Sequence, residues 1–287
     1  MSTHWNPLSL SFKRFGSRTH NNKNPLIICH GLFGSKQHWK SLAQKIHAIT
    51  QHDVWTIDAR NHGESPHHPT HDYQVMANDL VHFMNQHELK KSILLGHSMG
   101  GKVAMNAALR YPQLVAKLIV VDIPPLQVPL TKEYHGYIKV MKEIQQKRLK
   151  RQSEAYDMIS AVEPDVGVQH FLLTNLKKNL KKDGIYEFRI PLDILDSALD
   201  NLGEFESSIP AAPSSDRSSI HFMGPTLFIT GQHSPFRVPF VEYPDKIKAF
   251  FPNSTVKEIK GSGHWVQADK PDEFLDTVNT FINDGVE

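Results

Sequence analysis

Ser92-Ile93-Leu94-Leu95-Gly96-His97-Ser98-Met99-Gly100-Gly101 is the stretch on which the reading of this chain turns. Ser92 to Leu95 is a short, mainly apolar run of buried-strand character. From Gly101 onward, Val103, Ala104, Ala107 and Ala108 recur at helical spacing until Tyr111-Pro112 stops them. Between the two stands G-x-S-x-G. Five such residues alone say little, but a strand before and a helix after form the sharp turn that lifts a serine hydroxyl above a sheet. That turn leaves no room beside the serine, which explains glycine at positions 96 and 100. The helix N-terminus beneath favours negative charge developing near Ser98. A glycine-rich connection carrying a passive serine would leave both flanks without a reason.

Working outward, Leu8 to Phe15 alternates apolar with polar, as an edge strand does, and Pro25 to Cys29 reads as a buried strand. A turn at Thr19 to Asn24 joins them. A helix over His38 to Ile49, a strand over Val54 to Ile57 and a helix over Tyr73 to Gln86 follow. Leu118 to Asp122 is the next buried strand. Strands alternating with helices, each strand a continuous apolar run, predict a parallel sheet covered on both faces. Pro124-Pro125 ends this rhythm, which resumes at Thr226 to Thr230 with a strand, a helix near Tyr243 to Phe251, a strand over Thr255 to Ile259 and a helix opening at Pro271. Residues 1–125 and 224–287 are therefore expected to form an α/β core, and 126–223 a helical lid inserted after the strand ending at Asp122. Pro164, Pro191 and a Pro/Ser-rich loop from Ile209 to Ser219 would break that lid. Its basic runs, Lys147-Arg148-Lys150-Arg151 and Lys177-Lys178-Lys181-Lys182, read as solvated helix faces.

The 287 residues suffice for one large domain with an insertion. Mean hydropathy is −0.39, and no apolar run approaches the ~20 residues of a membrane helix. A formal net charge of +2 leaves no nucleic-acid footprint. The single cysteine, Cys29, lies in an apolar run and reads as a structural thiol in a reducing compartment. The 18 histidines form no metal-ligand spacing, so neither metal nor cofactor is expected. Lys13, Arg14, Arg18 and Lys23 precede any acid, which is mildly like a transit peptide, yet most of this segment reads as fold.

A serine hydroxyl is a poor nucleophile at neutral pH; it needs a base, and the base needs an orienting carboxylate. His264, in Gly261-Ser262-Gly263-His264-Trp265 after the last strand, is the best-placed base. Many proteins built this way carry the acid after the strand that follows the insertion, but Ser234 stands there in this chain. Serine cannot hold the charge that stabilises an imidazolium. Asp122, at the tip of the strand beside the elbow, is the alternative, with Asp245 a weaker candidate. Met99 N–H would be one oxyanion donor; the other would come from His30-Gly31-Leu32, with Leu32 N–H first choice and Phe33 second. Leu32, Phe33, Met99 and Trp265 side chains are expected at a substrate pocket. His97 and Lys102 read as support, and Asp58, Arg60 and His62 as loop braces.

His30-Gly31-Leu32-Phe33-Gly34-Ser35, Asp58-Ala59-Arg60-Asn61-His62-Gly63-Glu64-Ser65-Pro66, Gly96 to Lys102 and Gly263-His264-Trp265 occur in an order that resembles one family. It is the α/β-hydrolase branch containing mitochondrial abhydrolase-domain protein eleven, bacterial esterase/thioesterase relatives and yeast ethanol acetyltransferases. The resemblance spans nearly the whole chain and is weakest in the insertion. It implies an α/β-hydrolase fold, an acid after the strand following the elbow helix (Asp122 here), and short-acyl esters or thioesters as substrates. It also implies a mitochondrial address, with the cytoplasm as the alternative. Hydrolysis through an acyl-Ser98 intermediate, acyl transfer to an alcohol by the same groups, and a hydrolase-fold binding protein remain open. A protein partner is not readable.

Overall fold

The computed structural model describes residues 7–16, 23–205 and 220–284. Among these, the strands are β1 (Phe12–Phe15), β2 (Leu26–Cys29), β3 (Val54–Ile57), β4 (Ser92–His97), β5 (Val115–Val121), β6 (Leu176–Asn179), β7 (Ile185–Phe188), β8 (Thr226–Gly231) and β9 (Ser254–Ile259). Seven of them form one sheet in the order β1-β3-β2-β4-β5-β8-β9. β1 pairs antiparallel with β3, and every other neighbour is parallel. The edge strand expected from Leu8 is thus shorter, and the turn expected at Thr19 to Asn24 falls mostly outside the described residues.

Continuous apolar strands are what a sheet buried on both faces requires, because successive side chains point to opposite sides. Ile27, Cys29, Leu94, Leu118, Val120 and Phe228 pack on one side. There they meet Met76, Leu80 and Phe83 of α2 (Tyr73–Gln86) and Val103 and Ala104 of α3 (Met99–Arg110). Leu26, Ile28, Ile93, Leu95, Ile119, Val121 and Ile229 face the other way. They meet Ala43 and Ile46 of α1 (Lys40–Thr50), together with Phe274 and Val278 of the closing helix, Pro271–Asn283. Each fully buried Leu, Ile or Phe contributes roughly 1.5–3 kcal/mol, so both layers hold the sheet. Cys29 belongs to this core, and burial pushes its thiol up to about 12.

Parallel registry brings the C-terminal ends of the central strands to one edge. Cys29 lies opposite Gly96, His97 opposite Val121, and Val121 opposite Ile229. His30, Ser98, Asp122 and the residues after β8 therefore leave the sheet side by side, the usual place for a ligand in an open α/β sheet.

Between β5 and β8 run α4 (Lys132–Lys147), α5 (Gln152–Ser160), α6 (Val166–Leu173), β6, β7 and α7 (Leu192–Leu202). Pro164 directly precedes the Asp165 N-cap of α6, and Pro191 is the N-cap of α7. The all-helical expectation fails at β6 and β7, an antiparallel hairpin pairing Leu176 with Phe188 and Asn179 with Ile185. Turn chemistry decides this. The Asn179 carbonyl accepts from Lys182 N–H at 3.2 Å and Gly184 N–H at 3.0 Å, and its side chain accepts from Lys181 N–H at 3.0 Å. Asp183 (φ 53°) and Gly184 (φ 70°) take left-handed backbone, which Asp-Gly tolerates. Lys177, Lys178, Lys181 and Lys182 hence sit on a hairpin and its tip rather than on a helix face. The Pro/Ser-rich loop from Ile209 to Ser219 lies outside the described residues.

Lys102 of α3 ties this segment to the core. Its buried ammonium donates to the Gly203 carbonyl at 2.8 Å and the Glu204 carbonyl at 3.0 Å, just past the C-terminus of α7. A cation there complements the negative end of the helix. Tyr73 OH adds a bond to Leu202 O at 2.7 Å, and burial draws the Lys102 amine down to about 7.

Candidate active site

Ser98 is the N-cap of α3 and has φ 52° and ψ −121°, backbone that residues with a side chain avoid. Its N–H is fixed to Val121 O at 2.9 Å. A Cβ on Gly96 would run into the Gly100 carbonyl, and one on Gly100 into the carbonyls of Cys29 and His30. The two glycines are there for space.

Asp122 leaves the tip of β5 with φ 55° and its N–H bonded to Ile229 O at 2.7 Å. Its carboxylate is completely buried and accepts four hydrogen bonds. Oδ1 takes Thr230 Oγ1 at 3.0 Å and Gly231 N–H at 2.9 Å; Oδ2 takes Ser234 Oγ and, at 2.7 Å, His264 Nδ1. This fills the acceptor capacity of a carboxylate. Asp245 instead lies exposed in the short helix Pro244–Phe250.

His264 reaches Asp122 because the loop after β9 folds back over the sheet edge. Gly231 and Gly263 pack with no space for a side chain on Gly231. Gly263 N–H is held by Asp269 Oδ2 at 2.7 Å. The imidazole stands among the rings of His97, Phe236 and Trp265, at centroid distances of 4.7, 4.8 and 5.3 Å. His97 donates Nε2–H to the His264 carbonyl at 2.9 Å. Burial, reinforced by His264, pushes the His97 imidazole down to about 3, so it stays neutral.

The loop after β2 is closed by Gly34 N–H to Gly31 O at 2.9 Å, with Phe33 at φ 61°. Phe33 N–H donates to His62 Nε2 at 3.1 Å, so the second-choice oxyanion donor is already engaged. Leu32 N–H and Met99 N–H have no acceptor among the described residues. Burial, then His30, keeps His62 well below its usual value and therefore an acceptor. Asn175 Nδ2 clamps the same loop from the other side, donating to Phe33 O at 2.7 Å. Asp58 and Arg60 act as braces. Asp58 accepts from Lys36 N–H and Nζ, both at 2.6 Å, and Arg60 grips Asp79 with two bonds of 2.6 and 2.8 Å.

Ser98 and His264 line one cavity of about 380 Å³, with Leu32, Phe33, Phe171 and Trp265 on its walls. Met99 does not join them: its side chain packs into the core beside α2, because the first residue of α3 points away from the cavity. Sequence reading missed Phe236, Asn175 and Tyr134, which touch the site from distant segments and belong to no motif. Ser234, which cannot serve as the acid, supports it instead. That hydroxyl bonds Asp122 Oδ2 while accepting from Phe236 N–H at 3.0 Å. A hydrogen bond to a charged group is worth about 1.5–3 kcal/mol. Ser234→Ala should accordingly lower kcat by roughly ten- to a hundredfold, with KM little changed, in a steady-state ester assay.

Residues 24–271 match the model of the alpha/beta hydrolase fold family. The chain belongs to the α/β-hydrolase fold family. It is 37% identical to the sn-1-specific diacylglycerol lipase ABHD11 of Danio rerio, over 96% of this chain and 83% of that protein. It is 36% identical to a probable alcohol acetyltransferase of Saccharomyces cerevisiae, over 96% and 84% of the two chains. Among solved structures, a marine microorganism esterase superposes with a TM-score of 0.82 at 32% identity, covering 96% of this chain and 99% of that one.

Proposed function

We propose that the protein is a serine hydrolase that cleaves short-acyl carboxylic esters or thioesters through an acyl-Ser98 intermediate. The observation that carries this reading is the 2.7 Å bond from His264 Nδ1 to the buried Asp122, with His264 and Ser98 on one cavity. With Nδ1 committed to Asp122, Nε2 is the ring nitrogen left to take the Ser98 proton. Ser98 Oγ attacks the acyl carbon, and His264 passes the proton to the departing alcohol or thiol. Met99 and Leu32 amides receive the oxyanion, a role worth roughly 3–4 kcal/mol per donor in comparable sites. His264 then activates water to release the acid. Residues 126–223 would serve as the lid, and Phe33 and Trp265 as pocket walls. A mitochondrial address is part of the same proposal. The described residues contain no helix long and apolar enough to cross a membrane.

Acyl transfer to an alcohol is the second reading, favoured by the likeness to the yeast alcohol acetyltransferase. Product partition separates the two. With p-nitrophenyl acetate in the presence and absence of ethanol, the expected product is acetate, with Ser98→Ala as the blank. Ethyl acetate above the mole-fraction share of ethanol would make the protein a transferase. Release that persists in Ser98→Ala would overturn both readings.

A further inference from the structure

The two basic runs, distant in sequence, meet in the fold. α4 ends at Lys147, Arg148 turns the chain with φ 51°, and the Leu149 carbonyl accepts from Tyr186 N–H of β7 at 2.8 Å. Tyr186 pairs across the hairpin with Lys178. The stretch that carries Lys147, Arg148, Lys150 and Arg151 thus meets, at Leu149, the hairpin that carries Lys177, Lys178, Lys181 and Lys182, and all eight are exposed. Arg151 is paired with Glu154 and Lys182 with Glu187. Lys147, Lys150, Lys177, Lys178 and Lys181 have no ion-pair partner among the described residues. At the tip, Leu180 is 81% exposed, and the Asn179 turn holds it between Lys178 and Lys181.

We propose that the hairpin tip and the adjoining basic stretch dock the protein peripherally on an anionic lipid bilayer, with Lys150, Lys178 and Lys181 against headgroups and Leu180 at the headgroup boundary. Charge complementarity is the main reason. Each Lys or Arg held near an anionic bilayer multiplies binding about fivefold, and such gains accumulate over a cluster. An exposed leucine supplies an apolar contact that a polyanion in water would leave unused. Lysines on β6 would also discourage pairing of strand edges, which accounts for Lys177 and Lys178 but not for Leu180. Aliphatic lysine stems beside an inserted leucine suit an interface that is apolar below and wet above.

The hairpin also stands beside the cavity. β6 begins just after Thr174, whose Oγ1 is 3.1 Å from Nε2 of the cavity-lining His38, and after Asn175, which clamps the Phe33 carbonyl. A protein docked there would hold its cavity close to esters dissolved in the bilayer. The docking itself does not depend on the reaction proposed above.

Co-sedimentation of the full chain with vesicles tests it. Wild-type protein should bind mixed phosphatidylcholine and phosphatidylserine vesicles, ignore pure phosphatidylcholine, and dissociate as salt is raised. The triple variant Lys150→Gln, Lys178→Gln, Lys181→Gln should bind about a hundredfold more weakly, whereas arginine at the same positions should keep wild-type binding. Leu180→Ser should weaken binding severalfold without changing its salt dependence. Both the triple variant and Leu180→Ser should retain turnover of p-nitrophenyl acetate in solution, which separates loss of docking from loss of the site. Absence of binding to the anionic vesicles, or equal binding by the glutamine variant, would overturn the proposal. Capture by heparin or polyglutamate without vesicle binding would overturn it too, in favour of an acidic macromolecule.

Discussion

Asp122→Asn should lower kcat by about 10⁴ while leaving the fold intact, if the loss follows that of a serine protease whose buried aspartate is changed the same way. The physical reason lies in the four donors that converge on the carboxylate: Thr230 Oγ1, Gly231 N–H, Ser234 Oγ and His264 Nδ1. An asparagine offers only one acceptor atom. Its amide nitrogen would face either Thr230 and Gly231 or Ser234 and His264, donor against donor. If it faces His264, the imidazole turns to the tautomer that carries its proton on Nε2, and the base for Ser98 is lost. Steady-state kinetics with p-nitrophenyl acetate would measure the loss. Asp245→Asn, at an exposed position of its short helix, should change nothing. The opposite pattern would show that the acid lies elsewhere.

Ser98→Gly should remove turnover by about 10⁶, the scale seen when a protease loses its nucleophile, and at the same time make the protein more stable. The serine is held at φ 52° and ψ −121°, where a Cβ is strained and glycine is not. Relief of such strain is worth about 1–3 kcal/mol. Part of that gain is offset by the greater freedom glycine has in the unfolded chain. Ser98→Ala, equally inactive, keeps the Cβ and so should not gain. Thermal unfolding of the three proteins side by side gives the answer. A glycine variant no more stable than the alanine one would mean that the strain relieved does not exceed the entropy glycine gains in the unfolded chain.

Local sequence determined the elbow and the strands of the seven-stranded sheet, and it singled out His264, the histidine that meets Asp122. Strand, G-x-S-x-G and helix follow one another without interruption, and each apolar run has the length and continuity of a strand buried on both faces. The glycines at 96 and 100 signal a close approach that the Gly100, Cys29 and His30 carbonyls make real. What required the tertiary structure were contacts between segments far apart in the chain. Whether Phe33 N–H was free depended on His62, whether Ser234 mattered depended on where Asp122 pointed, and the clamp from Asn175 came from a segment without any motif. The hairpin at Leu176–Phe188 belongs to the same class. Lysines have no strong strand preference, so the outcome rested on an Asn179 turn, on burial of Leu176, Ile185 and Phe188, and on the packing of β7 against α4. Periodicity records which face of an element is buried, whereas hydrogen-bond partners across the fold are set only when distant segments pack and every buried donor has to find an acceptor.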